Sequence, residues 1–111
     1  MGVVYRKELS SQTVEFDVRS DLTDETIGEF RTALYAELEK PHRRINLNFE
    51  KVRTINSAAL GAILLFQKKA REEGMEVVIS KCSNELRRTI IAIRLDRIIS
   101  VEGEAPPTIT R

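Results

Sequence analysis

Apolar and polar residues alternate along several short stretches of the chain, and this period of two is typical of strands with one buried face. The clearest case is residues 14–18, where Val14, Phe16 and Val18 alternate with two acidic residues. A hairpin is expected to open the chain, because two of these stretches flank a Ser-Ser-Gln turn at residues 10–12. Strands are predicted at residues 3–9, 14–18, 44–50, 75–80 and 98–101.

Between the later strands, apolar residues recur at the spacing of amphipathic helices. The first helix is predicted to follow a capping hydroxyl on Thr23 and to stop before Pro41. The second begins at Ser57 and ends at Gly74, a residue suited to a left-handed helix terminus. The third opens at residue 83. Its buried face is predicted to contain Leu86, Ile90 and Ile93.

The order of these elements is strand, strand, helix, strand, helix, strand, helix, strand, which predicts a compact α/β domain with short connections. The 111 residues, 41% of them hydrophobic, fit one domain and leave no room for a second. We expect a single domain over residues 1–103 and a flexible tail over residues 104–111.

Charge and cysteine content exclude several classes of partner and compartment. The 18 basic and 17 acidic residues nearly cancel and form no long block, so broad electrostatic attraction to nucleic acid or to a membrane is not indicated. No apolar run is long enough to span a bilayer, so membrane insertion is not expected. Cys82 has no second cysteine to pair with, and it is predicted to pack as a small apolar residue. The N-terminus has no apolar signal segment. A soluble cytoplasmic protein is therefore expected.

Ser57 carries the most informative chemistry in the chain, because it lies where a strand leads into a helix. The first N–H groups of a helix lack internal partners and carry the positive end of its dipole, so an anion is favoured there. Ser57 is a candidate for a switch by phosphorylation. From local sequence alone a simple helix-start hydroxyl is the favoured interpretation, because serine is among the commonest capping residues.

Four segments resemble a known family. Residues 56–61, Asn-Ser-Ala-Ala-Leu-Gly, resemble the Asp-Ser-Ser/Thr-Gly-Leu-Gly hallmark of the STAS domain, found in bacterial anti-sigma factor antagonists. Residues 20–26 approximate its Gly-x-Leu-Asp-x-x-Thr pattern, and residues 83–88 and 95–99 resemble its last helix and strand. The resemblance covers roughly residues 3–102. It implies a mixed sheet of about five strands, with three to four helices mainly on one face.

The resemblance also implies a function, which is partner switching. Such an antagonist binds an anti-sigma factor of the serine-kinase type, and phosphorylation of the family's serine, here Ser57, causes the complex to dissociate. A phosphatase is expected to restore Ser57, and no cofactor is implied. The partner-binding residues that the resemblance implies are Asp21, Thr23, Asp24, Asn56, Ser57, Ala58 and Ala59.

Departures from the family pattern keep a second function open. Asn56 replaces the family's Asp, and Ala58 and Ala59 replace its second hydroxyl residue and its glycine. The chain could instead be a constitutive STAS subunit, for example of a lipid-transport or sensory complex, in which Ser57 is not modified. Asn56 can still cap the helix through its side-chain oxygen.

An enzyme is not expected, because the sequence has no Gly-rich phosphate loop, no Gly-x-Ser-x-Gly elbow and no metal-binding spacing. His42 is predicted to be a solvated loop residue rather than a general base or metal ligand. The arginines at 87, 88, 94 and 97 are interpreted as a solvated helix face, with contact to an acidic partner as the alternative. Residues predicted to lie in the core rather than at a contact surface are Ala58, Ala59, Leu60, Ile63 and Leu64.

Overall fold

Five strands and three helices form the fold over residues 2–103, the part of the chain that the computed structural model describes. The strands are β1 (Val4–Glu8), β2 (Thr13–Val18), β3 (Arg44–Asn48), β4 (Glu76–Cys82) and β5 (Ser100–Gly103). The helices are α1 (Ile27–Glu37), α2 (Ser57–Glu72) and α3 (Asn84–Ala92), and a short 3₁₀ helix lies at Leu95–Arg97. The order agrees with the prediction. The predicted tail, residues 104–111, lies outside the described residues.

The strands form one mixed sheet in the order β1-β2-β3-β4-β5. β1 and β2 are antiparallel, and the other three pairings are parallel. In the hairpin loop, the hydroxyl of Ser10 accepts hydrogen bonds from the backbone N–H groups of Gln12 and Thr13, both at 3.1 Å. Parallel strands need long crossover connections, which the three helices supply. The predicted five-stranded mixed α/β sheet is confirmed.

One face of the sheet and all three helices share a single apolar core. The strand register places Phe16 opposite Leu47 and Leu47 opposite Ile79, so apolar side chains of three neighbouring strands stand in one row. The other face is more polar, with Glu15 opposite Asn46. The helices are therefore packed on one face, as expected. Their fully or nearly fully buried side chains include Phe30, Leu34, Ile63, Phe66, Leu86 and Ile90.

The start of α1 differs from the prediction that Thr23 caps it. The helix begins at Ile27, and the residue before it, Thr26, makes no side-chain capping bond. The Thr23 hydroxyl instead accepts a hydrogen bond from the N–H of Glu25 at 3.2 Å. Thr26 Oγ1 accepts from the Thr23 N–H at 2.9 Å and donates to the carbonyl of Asp21 at 2.8 Å. Both threonines therefore fold the loop before the helix.

The end of α3 also differs, and the prediction that Ile93 is buried is wrong. The helix ends at the residue before it, and Ile93 is 46% exposed. Arg94 has a left-handed backbone with φ of 67°, which separates α3 from the 3₁₀ helix that follows. Leu95 fills the core in its place. Ile98, predicted to lie in the last strand, precedes β5 and is exposed.

A buried ionic cluster joins β1, the end of α1 and the loop before β3. Glu37 is 1% exposed, accepts a hydrogen bond from Arg6 Nε at 2.7 Å, and has an oxygen 2.8 Å from His42 Nδ1. His42 is itself 5% exposed, and its Nε2 lies 3.6 Å from a carboxylate oxygen of Glu8. The prediction of a solvated His42 is wrong, because the loop folds back onto α1 and gives the ring a buried carboxylate partner.

Opposing effects set the protonation of Glu37. Burial raises its pKa, but the hydrogen bond and positive charge of Arg6, together with the hydrogen bond to His42, outweigh burial and hold the pKa below the ordinary value of 4.5. The same hydrogen bond raises the pKa of Arg6. Glu37 is therefore an ionised, paired carboxylate within the fold at neutral pH.

We expect Glu37→Gln to lower the free energy of unfolding at neutral pH by about 1 to 3 kcal/mol, the cost of hydrogen bonds to a charged group. Because the folded-state pKa lies below the unfolded value, the stability from ionised Glu37 is present above about pH 4.5 and is lost as the pH falls through the folded-state pKa. Urea unfolding of wild type and Glu37→Gln at several pH values across this range measures the difference in the free energy of unfolding. Glu8→Gln, at a carboxylate that is 58% exposed, is the control and should change stability far less. A pH-independent difference between wild type and Glu37→Gln would contradict the stabilising role assigned to ionised Glu37.

Candidate functional site

Two loops that are far apart in sequence meet at the start of α2. Leu22, after β2, forms an isolated parallel bridge with Ile55, after β3. The N–H of Leu22 donates to the carbonyl of Thr54 at 3.1 Å, and the N–H of Asn56 donates to the carbonyl of Leu22 at 3.0 Å. This pairing brings together the two segments in which the sequence placed candidate site residues.

Asp21 holds the second loop through backbone hydrogen bonds. Its Oδ1 accepts from the N–H of Arg53 at 2.7 Å and from the N–H of Thr54 at 3.3 Å. The bond from Arg53 is the largest cause that lowers the pKa of Asp21, because it favours the ionised carboxylate. Asp21 thus has a clear role in the shape of the site.

Asn56 uses both ends of its side-chain amide. Its Oδ1 caps α2 by accepting a hydrogen bond from the N–H of Ala59 at 2.8 Å, as the sequence allowed. Its Nδ2 donates to Oδ1 of Asp24, also at 2.8 Å. A carboxylate at position 56 could accept the first bond but could not donate the second, since ionised Asp has only acceptors. Asparagine at this position therefore suits the acidic residue across from it.

Ser57 is the first residue of α2, and its side chain is exposed. Because Asn56 supplies the side-chain cap, the Ser57 hydroxyl is not needed for that role. The capping residue of α2 is therefore Asn56 rather than Ser57. The hydroxyl lies at the positive end of a helix of 16 residues, where an added anion is favoured.

The remaining predicted residues divide between surface and core. Ala58 is exposed, so its predicted place in the core is wrong, and it lies beside Ser57 on the surface. Ala59 is fully buried, as predicted for a core residue. The prediction that Ala59 also contacts a partner is wrong, because the residue has no exposed surface. Ile63 is buried as predicted, whereas Leu60 and Leu64 are half-buried against the core.

A shallow groove between α1 and α2 was missed by sequence reasoning. It has a volume of about 370 Å³ and begins at Ala58. Leu65, at its far end, is 63% exposed. The spacing of positions 58, 61, 62 and 65 along α2 was a usable signal, because small and apolar residues there share one helix face. The groove is lined by Ile27, Arg31, Tyr35, Ala58, Gly61, Ala62 and Leu65.

Residues 2–103 contain no cluster of three or more His, Cys, Asp or Glu side chains arranged to hold a metal ion. No helix within the same range has the length and apolar character needed to cross a bilayer.

The family model described as "Mlab, STAS domain" matches residues 5–101. The chain therefore belongs to the STAS domain family. No curated protein matches it significantly.

Solved structures share the fold at low sequence identity. The Thermotoga maritima protein TM1081, described as a candidate anti-sigma factor antagonist, is similar with a TM-score of 0.81 and 23% identity, over 89% of this chain and 85% of that one. The unphosphorylated antagonist SpoIIAA has a TM-score of 0.71 and 13% identity, over 93% and 89%. A sulfate transporter family protein from Wolinella succinogenes has a TM-score of 0.73 and 15% identity, over 83% and 77%. SpoIIAA from Bacillus is also known in its phosphorylated form, with a TM-score of 0.69 and 14% identity, over 88% and 89%.

We expect Asn56→Ala to lower the free energy of unfolding by about 1 kcal/mol, because it removes the cap of α2. The neighbouring Ser57→Ala serves as the matched control and should change stability by less than about 0.5 kcal/mol, as exposed substitutions usually do. Thermal and urea unfolding of both variants measure this difference. Equal losses would mean that Ser57 supports the helix start as much as Asn56 does.

Proposed function

We propose that this STAS domain acts as an anti-sigma factor antagonist-like regulator, which binds a serine-kinase-type anti-sigma factor and is released from it by phosphorylation of Ser57. The single observation that carries the proposal is the exposed Ser57 hydroxyl at the start of α2, beside a cap that another residue provides. A kinase can reach this hydroxyl without breaking the helix start. A phosphatase would restore the unmodified state, and such a regulator would act in the cytoplasm.

The physical basis of the switch is the difference in free energy between a phosphate exposed to water and a phosphate covered by a partner. Phosphorylation adds about 1.5 to 2 negative charges. The helix dipole stabilises an anion at its N-terminus by about 0.3 to 1 kcal/mol. A partner that covers the phosphate without pairing it must desolvate it, and unpaired charges at interfaces cost about 2 to 5 kcal/mol. The cost at the interface exceeds the stabilisation by the helix dipole. Phosphorylated Ser57 can therefore be stable in the free protein and still cause the complex to dissociate.

The surface proposed for the partner combines the two paired loops with the adjacent groove. Asp24, Ser57 and Ala58 are exposed, while Asp21, Thr23 and Asn56 are half-buried and shape the loops around them. Ala59 is fully buried and is not part of this surface. The groove that starts at Ala58 would accept an apolar side chain of the partner, and Leu65 would pack against it.

The SpoIIAA likeness supports this proposal at the level of the fold, because that antagonist is known both with and without phosphate. Asn56 also favours a stable phosphorylated state. It replaces the carboxylate that the family places directly before the serine, and so it removes one like charge from beside any phosphate on Ser57, while the carboxylate of Asp24 stays hydrogen-bonded to the Asn56 amide.

Incubation with ATP and a serine kinase of the histidine-kinase-like ATPase class, encoded by a neighbouring gene, tests the modification. We expect the intact mass of the wild-type protein to rise by one phosphate and the mass of Ser57→Ala to stay constant. A mass gain in Ser57→Ala would place the modification elsewhere. No gain in either protein would overturn the switching proposal.

Affinity for the same kinase provides a second test. We expect Ser57→Asp to weaken binding by at least tenfold, equivalent to about 1.4 kcal/mol, because a charge is introduced at the covered surface. Ser11→Asp is the matched control, since Ser11 lies exposed in the hairpin loop. It should bind as wild type does in isothermal titration calorimetry. Equal affinities for wild type and Ser57→Asp would count against the proposed interface.

A constitutive STAS subunit, for example of a lipid-transport or sensory complex, is the second candidate. Ala58 and Ala59 stand where the antagonist pattern has a hydroxyl residue and a glycine, and the fold occurs in a sulfate transporter family protein. This alternative uses the same surface but needs no kinase. It predicts a stable complex with a transporter component whose affinity is the same for wild type and Ser57→Ala.

A further inference from the structure

A second surface, remote in sequence from Ser57, lies at the end of α3. Among the large apolar side chains of residues 2–103 that are exposed, three fall within eight positions of one another, at Ile91, Ile93 and Ile98. Ile91 lies within α3, Ile93 directly follows the last residue of α3, and Ile98 follows the 3₁₀ helix, with the left-handed backbone of Arg94 between them. Backbone of this kind is uncommon in non-glycine residues, and it clusters at functional sites.

The charges around these isoleucines are mainly positive. Arg87 and Arg88 lie four and three positions before Ile91 on α3, so both are its neighbours on the helix surface. Arg94 and Arg97 follow in the turn. The arginines that form ion pairs within residues 2–103 are Arg6, Arg19 and Arg44, so none of these four does.

A depression brings part of this set together. It has a volume of about 370 Å³, and its walls are Ile91, Ala92, Arg94, Asp96 and Arg97. An apolar side chain and two guanidinium groups therefore border one concave surface. We define the α3 surface as Arg87, Arg88, Ile91, Arg94 and Arg97.

We propose that the α3 surface docks an acidic amphipathic segment of a partner protein, which places an apolar side chain against Ile91 and carboxylates on the surrounding arginines. Arginine pairs with carboxylates through two parallel hydrogen bonds, so it selects carboxylates by geometry as well as by charge. Arginine is also enriched at the centres of protein interfaces. This proposal does not rest on phosphorylation of Ser57, because it concerns a different helix.

Charge and shape favour an acidic protein over other occupants. The depression is concave and can take one side chain of a partner, whereas a helix lying in a membrane interface needs a broad apolar face, and α3 buries Leu86 and Ile90 in the core. The single acidic residue in its wall, Asp96, is outnumbered by Arg94 and Arg97. Residues 104–111 contain one acidic and one basic side chain, so this segment of the chain itself lacks the charge that the arginines require.

A synthetic amphipathic helical peptide with leucines on one face and glutamates on the other is the probe. We expect the full chain to bind it, with NMR chemical-shift changes concentrated in residues 87–98. Arg88→Glu/Arg97→Glu should weaken binding at least tenfold, whereas the matched charge change Lys40→Glu/Arg71→Glu should alter it less than twofold. Arg94 is left unchanged in these variants because its backbone is left-handed.

Further variants separate apolar contact from charge and keep the test valid if the double arginine variant fails to fold. Ile91→Ser should weaken peptide binding at least threefold, and Leu9→Ser, at another exposed apolar residue, should not. Ser57→Asp should bind the peptide as wild type does. This result would separate the α3 surface from the proposed switch.

Several outcomes would overturn the proposal. Equal losses in the two double variants would indicate general charge attraction, and equal binding of a peptide with lysines in place of glutamates would remove the acidic requirement. Binding to phosphatidylglycerol vesicles through Arg88 and Arg97, without peptide binding, would identify a membrane surface. Self-association that Ile91→Ser abolishes, without peptide binding, would identify a second copy of the chain as the occupant.

Discussion

The candidate site depends on the two hydrogen bonds made by the side-chain amide of Asn56. One end of the amide satisfies the N–H of Ala59 at the start of α2, and the other end ties Asp24 to the same point. A helix start must find partners for its first N–H groups. Because Asn56 provides one, the adjacent serine is left exposed at the positive end of the helix. Asn56 thus holds the helix start, and the neighbouring Ser57 is the residue proposed for modification.

Charged residues in this domain fall into two groups with different roles. Glu37 and Asp21 are engaged within the fold, and each has a pKa held below its ordinary value by donors that favour the carboxylate. The four arginines near the end of α3 make no ion pairs within residues 2–103 and surround exposed isoleucines. Burial of a paired charge supports structure, whereas exposed charge beside exposed apolar surface is available for recognition.

The STAS fold alone does not decide between a switch and a constitutive subunit, because folds are shared among functions while sites carry them. The same sheet and helices occur in antagonists and in a sulfate transporter family protein. What separates the two functions is the chemistry at the start of α2. An exposed serine beside an amide permits phosphorylation, and the small residues that follow shape the surface that a partner would cover.

The sequence by itself determined the elements, their order and the position of Ser57, because apolar periodicity and helix-start residues act over only a few positions. Tertiary structure decided how separate segments meet. The burial of His42 depends on the loop that folds back onto α1, the exposure of Ile93 on the left-handed turn at Arg94, and the groove on the packing of α1 beside α2, so each depends on which parts of the chain come into contact. Local sequence patterns do not predict such contacts, because a side chain is buried or exposed according to which residues pack over it.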